Sequence, residues 1–217
     1  MALFDNKKFG IKEVADVAFY VVGDVKVDST TGEVTFVGTD TVRKGPVLTF
    51  DTLKVSNLEF TGETTDARGG KGNSVLMSWD HSREATLTLE DALLSVESLN
   101  TMLSNGTVTE DTNSAIITVT ANGFPGTYTV VGKTYARDVD GTDHLLTFVI
   151  WKAKVQAETT FTMEAEGDPS TLNVNLKVLR ADDNTTIGST AGEMVKLIID
   201  KSAPGTVAPS ISFPKGK

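Results

Sequence analysis

Few stretches of this chain hold residue types at spacings that could do chemistry. The most suggestive is ARGGKGNS, residues 67–74, where Arg68, Gly69, Gly70, Lys71, Gly72 and Asn73 combine bare backbone with two cations. That is the make-up of an anion cradle. A phosphate loop of the Walker type, however, needs Gly-x4-Gly-Lys-Ser/Thr between a strand and a helix. Here Lys71 lies between two glycines and the residues that follow read as a strand, so no helix end faces an anion. His81 has Asp80, Ser82 and Arg83 beside it, but consecutive residues in a turn cannot place a base between nucleophile and carboxylate. His144 follows Asp138, Asp140 and Asp143 in DVDGTDH, where the glycine comes too early for a calcium loop and no acidic residue closes the twelve-residue frame. Glu164 and Glu166 share a strand face without a cleft or aromatic subsites in view, and Trp79 and Trp151 read as core or interface anchors. None of these makes a reaction centre, and neither a catalytic residue, a metal site nor a cofactor is expected.

The elements that would carry these residues are mostly strands. Residues 1–15 read as a loose arm with Phe4 and Phe9 as anchors. A strand over Val17–Val22, extending through Val25 and Val27, turns at residues 28–32 into a partner carrying Val34 and Phe36. From Val47 to Leu103 runs the organising segment. It begins with a strand (VLTFDTLKVSNLEF) whose apolar phase slips twice, which suggests bulges and curvature. A polar glycine-rich loop, 61–74, follows and is expected to be mobile. Next come a strand with Val75, Met77 and Trp79 on one face, a turn at residues 80–84, and an alternating strand inward at Ala85, Leu87 and Leu89. The segment closes with a helix capped by Ser95 that packs through Val96, Leu99 and Leu103.

Beyond residue 115 the pattern returns to strands. AIITVTA and TYTVV read as a hairpin across residues 122–126. Leu145–Val155 is apolar on both faces as far as Trp151, which implies a second cover from the helix or another subunit, so that Leu145, Phe148, Val149, Ile150 and Trp151 are candidate interface residues. TFTMEAE, the turn 167–170, TLNVNLKVL (inward at Leu172, Val174, Leu176 and Val178) and EMVKLIID complete the strands. An extended tail from about 203 to 217 follows, and no linker divides residues 1–217, so a single domain is expected.

Composition narrows the class further. The 217 residues suffice for a sizeable core, and a net charge of −9 speaks against a surface built to grip phosphates. Cysteine is absent, which removes disulfides and thiolate chemistry. The longest apolar run near the start, Val17–Val22, is far too short to cross a bilayer, and the start lacks the pattern of a cleaved leader; a soluble protein used without export and without a membrane partner is expected.

ARGGKGNSVLMSWDHSREATLTLEDALLSVESLNTML, with the later FVIWKAKVQAETTFTMEAEGDPSTLNVNLKVL, resembles the tail tube (major tail) proteins of tailed bacteriophages of Gram-positive hosts. The likeness spans about residues 47–104 and 127–180, and its most specific parts are the GG-x-GN loop feeding TLTLEDALLS and the AEGDPS turn. The resemblance implies a mainly β fold, a twisted β-sandwich or half-barrel with one flanking α-helix. It also implies hexameric rings stacked into a hollow tube through which DNA passes without specific binding, in a virion tail assembled in the host cytoplasm. Partners would be copies of the chain itself, with tape measure, sheath or tail terminator proteins. The loop Arg68–Asn73 would order on the next ring. The rivals are a monomeric β-sandwich carbohydrate-binding or adhesin module and a secretion-system tube protein of the same fold.

Overall fold

The computed structural model describes residues 8–38, 45–93, 95–103, 106, 108–111, 113–156, 160–161, 171–184, 187–200 and 213. Its strands are β1 (Phe9–Ile11), β2 (Asp16–Val21), β3 (Val25–Val27), β4 (Val34–Phe36), β5 (Leu48–Phe50), β6 (Leu53–Gly69) and β7 (Ser74–Asp91). After helix α1 (Val96–Leu103) come β8 (Val108–Glu110), β9 (Ala115–Ile117), β10 (Thr127–Asp138), β11 (Asp143–Val155), β12 (Thr160–Phe161), β13 (Leu172–Leu179) and β14 (Lys196–Ile199). Ten strands form one antiparallel sheet in the order β5-β2-β10-β11-β13-β7-β6, with β1 on β10, β12 on β13 and β14 on β11. Two small hairpins, β3–β4 and β8–β9, lie outside it.

Strands β5 and β6 sit at opposite ends of that order, yet only Asp51 and Thr52 separate them. Three Cα steps reach no more than about 11 Å. The sheet must therefore curl until its first and last strands are neighbours. The crossing is fastened to the end of β7: the Thr52 hydroxyl donates to the buried Asp91 carboxylate at 2.5 Å, and the Ala92 N–H donates to the Thr52 carbonyl at 3.1 Å. One core cluster accordingly gathers Phe19 and Phe50 from one end of the order with Leu87, Leu89, Val174 and Leu176 from the other. Phe19 meets Phe50 and Tyr128 edge-on, at centroid separations of 5.6 and 6.0 Å. The molecule is a twisted β-sandwich with a single short helix among the described residues, as the sequence led one to expect.

The doubly apolar strand has an internal explanation. Phe148 and Ile150 enter the first core, while Val149 and Trp151 enter a second cluster with Ala18, Tyr20, Val131 and Ile198, roofed by Val25, Val27 and Val34 of the β3–β4 hairpin. Both faces of β11 are covered by its own chain, which corrects the expectation that the helix or a second subunit supplies the missing cover. Leu145 is half-buried; Phe148, Val149, Ile150 and Trp151 are buried within this one chain. The phase then flips. Between the pairs Val130↔Ile150 and Tyr128↔Ala153, β11 spends one residue more than β10, and the Thr129 hydroxyl donates to the Trp151 carbonyl at 2.9 Å beside that bulge. Ala153 and Val155 thereby return to the first core.

Other expectations are met or moved. β13 alternates as anticipated, with Leu172, Val174, Leu176 and Val178 inward. AIITVTA does not pair with TYTVV: Ala115–Ile117 pairs with β8, and β10 lies between β2 and β11. In α1, Ser95 and Ser98 cap each other reciprocally at 2.9 and 3.0 Å. That exchange turns Ser98 inward, so Ser98, Thr101 and Met102 form the buried face, Leu99 is only half-buried and Val96 is exposed. Phe161 contributes described backbone only, while Met163, Glu164, Ala165, Glu166, the turn 167–170, Phe4 and nearly all of the tail lie outside the described residues.

Two outcomes follow from this packing. A Cβ at Gly132 would meet the Phe148 ring at 2.0 Å, and the pair sit opposite each other on β10 and β11. Gly132→Ala is expected to lower unfolding free energy by about 2–3 kcal/mol in a denaturant titration, as overpacking does; an unchanged midpoint would show that the ring moves aside freely. Asp16 is held above the usual carboxylate range, first by burial and then by Asp51 and Glu13. A carboxylate raised on folding contributes stability at low pH that is lost as pH rises through its folded value. Asp16→Asn should therefore raise Tm at pH 7, with the gain shrinking towards pH 3.

Candidate functional site

Strand β6 runs for 17 residues and β7 for 18, far beyond what the body needs. Their inner halves, Leu53–Phe60 and Ala85–Asp91, are sheet: Ala85, Leu87 and Leu89 are buried, and β13 pairs with Thr86–Asp91. Outward from the pair Thr61↔Glu84 the two strands continue as a lone ribbon to Gly69↔Ser74, with nearly every residue exposed. The loop expected over 61–74 is thus mostly β-structure. Only residues 70–73 form the turn, closed by the Asn73 N–H on the Gly70 carbonyl at 3.2 Å. Gly70, Gly72 and Asn73 all have positive φ, which bare glycines and an asparagine accept and most residues resist. The candidate residues Arg68 and Gly69 end β6, and Gly70, Lys71, Gly72 and Asn73 make the tip.

The turn expected at residues 80–84 is also strand, interrupted by a bulge. Between Thr61↔Glu84 and Glu63↔His81, β7 spends one extra residue, and Ser82 takes φ +53°. A second extra residue, Leu76, falls between Arg68↔Val75 and Ala67↔Met77. Leu76 thereby moves to the face of Met77 and Trp79, where its Cδ1 lies 3.2 Å from the Cβ position of Gly69. The ribbon so acquires two unlike faces. One carries Ala67, Leu76, Met77 and Trp79, with Leu76 64% and Trp79 50% exposed. The other is a polar ladder: Ser78 donates to Asp66 at 2.9 Å, Thr64 to Asp80 at 3.0 Å, and Arg68 to Asp66 at 3.0 Å.

At the inner bulge the ribbon encloses an open concavity of about 410 Å3, lined among others by Phe60, Gly62, Glu63, Asp80, His81 and Arg83. The Arg83 guanidinium stands 5.3 Å from the centre of the Phe60 ring. The Glu63 carbonyl can only accept, so His81 Nδ1 donates to it at 2.8 Å, and Nε2 faces the Thr65 hydroxyl at 3.4 Å. Nothing here places a nucleophile, base and orienting acid in line. His144 lies elsewhere, buried in β11: its Nδ1 donates to the Asp200 carbonyl at 3.2 Å and Nε2 lies 3.6 Å from Asp138, whose other oxygen accepts the N–H groups of Asp140 and Thr142. That aspartate and histidine fix the β10–β11 turn. Arg137 holds the Asp143 carboxyl down at about 2. Among the described residues no group of three or more His, Asp or Glu is placed to hold a metal ion, and no helix is long and apolar enough to cross a membrane.

The β-sandwich thus extends a long bare ribbon with one apolar face. The YomU/Tube protein family model matches residues 27–115 and 107–192. The chain belongs to that family, which points to a phage-related structural tube protein and a virion tail component. A search of the curated proteins finds no match.

Sequence reasoning missed the β6 half of the ribbon because neither of its faces is buried, so no apolar alternation marks β6 beyond Phe60. The usable signal was its β-branched content at Thr61, Thr64 and Thr65, with Thr65 opposite Trp79, around a four-residue Gly-Lys-Gly-Asn turn. A two-stranded ribbon is marginal in water without further cover. In the isolated subunit, amides of Gly62–Asp80 should exchange with solvent far faster than those of Ala85–Asp91 in a hydrogen-exchange experiment. Equal protection of the two segments would show that the ribbon is stable by itself.

Proposed function

We propose that this chain is the subunit of a phage tail tube, the major tail protein of a phage of Gram-positive hosts, with six copies to a ring and rings stacked around a bore for DNA. The observation that carries this reading is the β6–β7 ribbon. Among the described residues no strand pairs with the outer edge of β6, and a long exposed edge beside an apolar face is a template for another chain. Copies of the same chain that pair there turn an aggregation hazard into a closed ring. In this arrangement Ala67, Leu76, Met77 and Trp79 pack against neighbouring copies, and the polar ladder with Asp66 and Asp80 faces the bore. Carboxylates on that wall repel phosphates and keep DNA sliding, where a basic wall would hold it through counterion release. The chain's charge of −9 accords with such a wall. Tape measure, sheath or tail terminator proteins are then the partners at the bore, the outer wall or the tube's end.

Negative-stain microscopy over a concentration series tests the reading. Rings or long hollow tubes are expected at high concentration; uniform small particles at every concentration would overturn it. Met77→Lys with Trp79→Asp should abolish the polymer while changing subunit stability by no more than about 0.5 kcal/mol, since both side chains are exposed in the lone chain. Polymers that survive the double substitution would remove the ribbon's apolar face from the interface.

A further inference from the structure

We propose that Met77 is a modification site for hydroperoxides, and that its oxidation to the sulfoxide closes the ribbon's apolar face to other copies until a reductase reopens it. The reactivity stands on the geometry of the single chain. The consequence for assembly rests on the tube reading just given.

The described methionines occupy three different settings; Met1 and Met163 lie outside the described residues. Met102 is buried on the inner face of α1, and Met194 is half-buried against the first core. Met77 is 58% exposed, on a length of β7 where every residue meets solvent. Its place in the ladder explains the difference. Across the rung it faces Ala67, whose single methyl overhangs nothing, and the next rung on that face pairs Trp79 with the short Thr65. A small oxidant thus has an open approach to a soft, polarisable sulfur.

The step is a two-electron oxidation. A sulfur lone pair attacks one oxygen of the hydroperoxide, the O–O bond breaks and an S–O bond forms. The proton of the transferred oxygen passes to the oxygen that leaves, so the peroxide is reduced to water or an alcohol. The product places a strong hydrogen-bond acceptor on the face of Ala67, Leu76 and Trp79. In the single chain water satisfies that oxygen, and the fold is untouched. Packed against a second copy, the same oxygen is buried on an apolar face without a donor, which opposes association. Once copies have joined, the sulfur is covered, so the free subunit is the form that responds.

Dilute subunit treated with hydrogen peroxide and mapped by peptide mass spectrometry tests the site. Met77 should gain one oxygen roughly tenfold faster than Met102, and faster than Met194, as exposure dictates; equal rates overturn the proposal. Chains oxidised at Met77 should keep their Tm, whereas the concentration needed for assembly should rise roughly tenfold, as an unpaired buried acceptor requires. Methionine sulfoxide reductase with a thiol should restore the starting value. Met77→Leu chains should assemble at one and the same concentration before and after peroxide. Oxidised chains that assemble normally, or Met77→Leu chains that peroxide still inhibits, overturn the proposal and leave the tube reading standing. A wild-type chain that stays monomeric at every concentration overturns both.

Discussion

The crossing at Asp51–Thr52 constrains everything else in this molecule. A chain that must pass from one end of a seven-strand order to the other in two residues has no freedom to leave the sheet open. Curling brings the apolar faces of β2 and β5 against those of β7 and β13, and the first core is the result. The Thr52–Asp91 hydrogen bond sits at the seam, where the Thr52 hydroxyl gives the buried carboxylate a donor. With the seam fixed there, β7 has its inner half committed to the core and its outer half directed into solvent.

This division explains why one strand can be both core and projection. From Ala85 to Asp91 every second side chain of β7 is buried, whereas from Ser74 to Glu84 every residue is exposed. The change occurs beside the bulge, which uncouples the twist of the ribbon from that of the body. The base is held by the core, and the extension stands exposed to solvent beyond it.

How far the sequence could be read follows from which surfaces are covered. β13 was plain because one face meets the core and the other does not, and the strand alternates accordingly. β11 was plain as a strand and misread in its cover, since a run apolar on both sides looks the same whether the second roof comes from a partner or from the β3–β4 hairpin 110 or more residues earlier in the chain. The helix was located by its cap, yet its buried stripe was placed one residue off, because Ser98 and Thr101 turn inward in place of Val96 and Leu103. Half of the ribbon was hidden: β7 showed as a strand through Val75, Met77 and Trp79, but β6 beyond Phe60 touches water on both sides and carries no periodic signal, and Gly62, Gly69 and Gly70 spoke for a loop. Part of the candidate site was legible, for the cations Arg68 and Lys71 stood out at once, while the two bulges of β7 did not.

The two bulges of the ribbon fall on the same strand. Leu76 and the residue added beside Ser82 both lengthen β7, so over shared rungs it covers more path than β6. A ladder whose two rails differ in length cannot lie straight; it arcs with the longer rail outside, and the twist of its strands gives that arc a hand. Each subunit therefore carries a built-in bend of fixed sense before it meets any other.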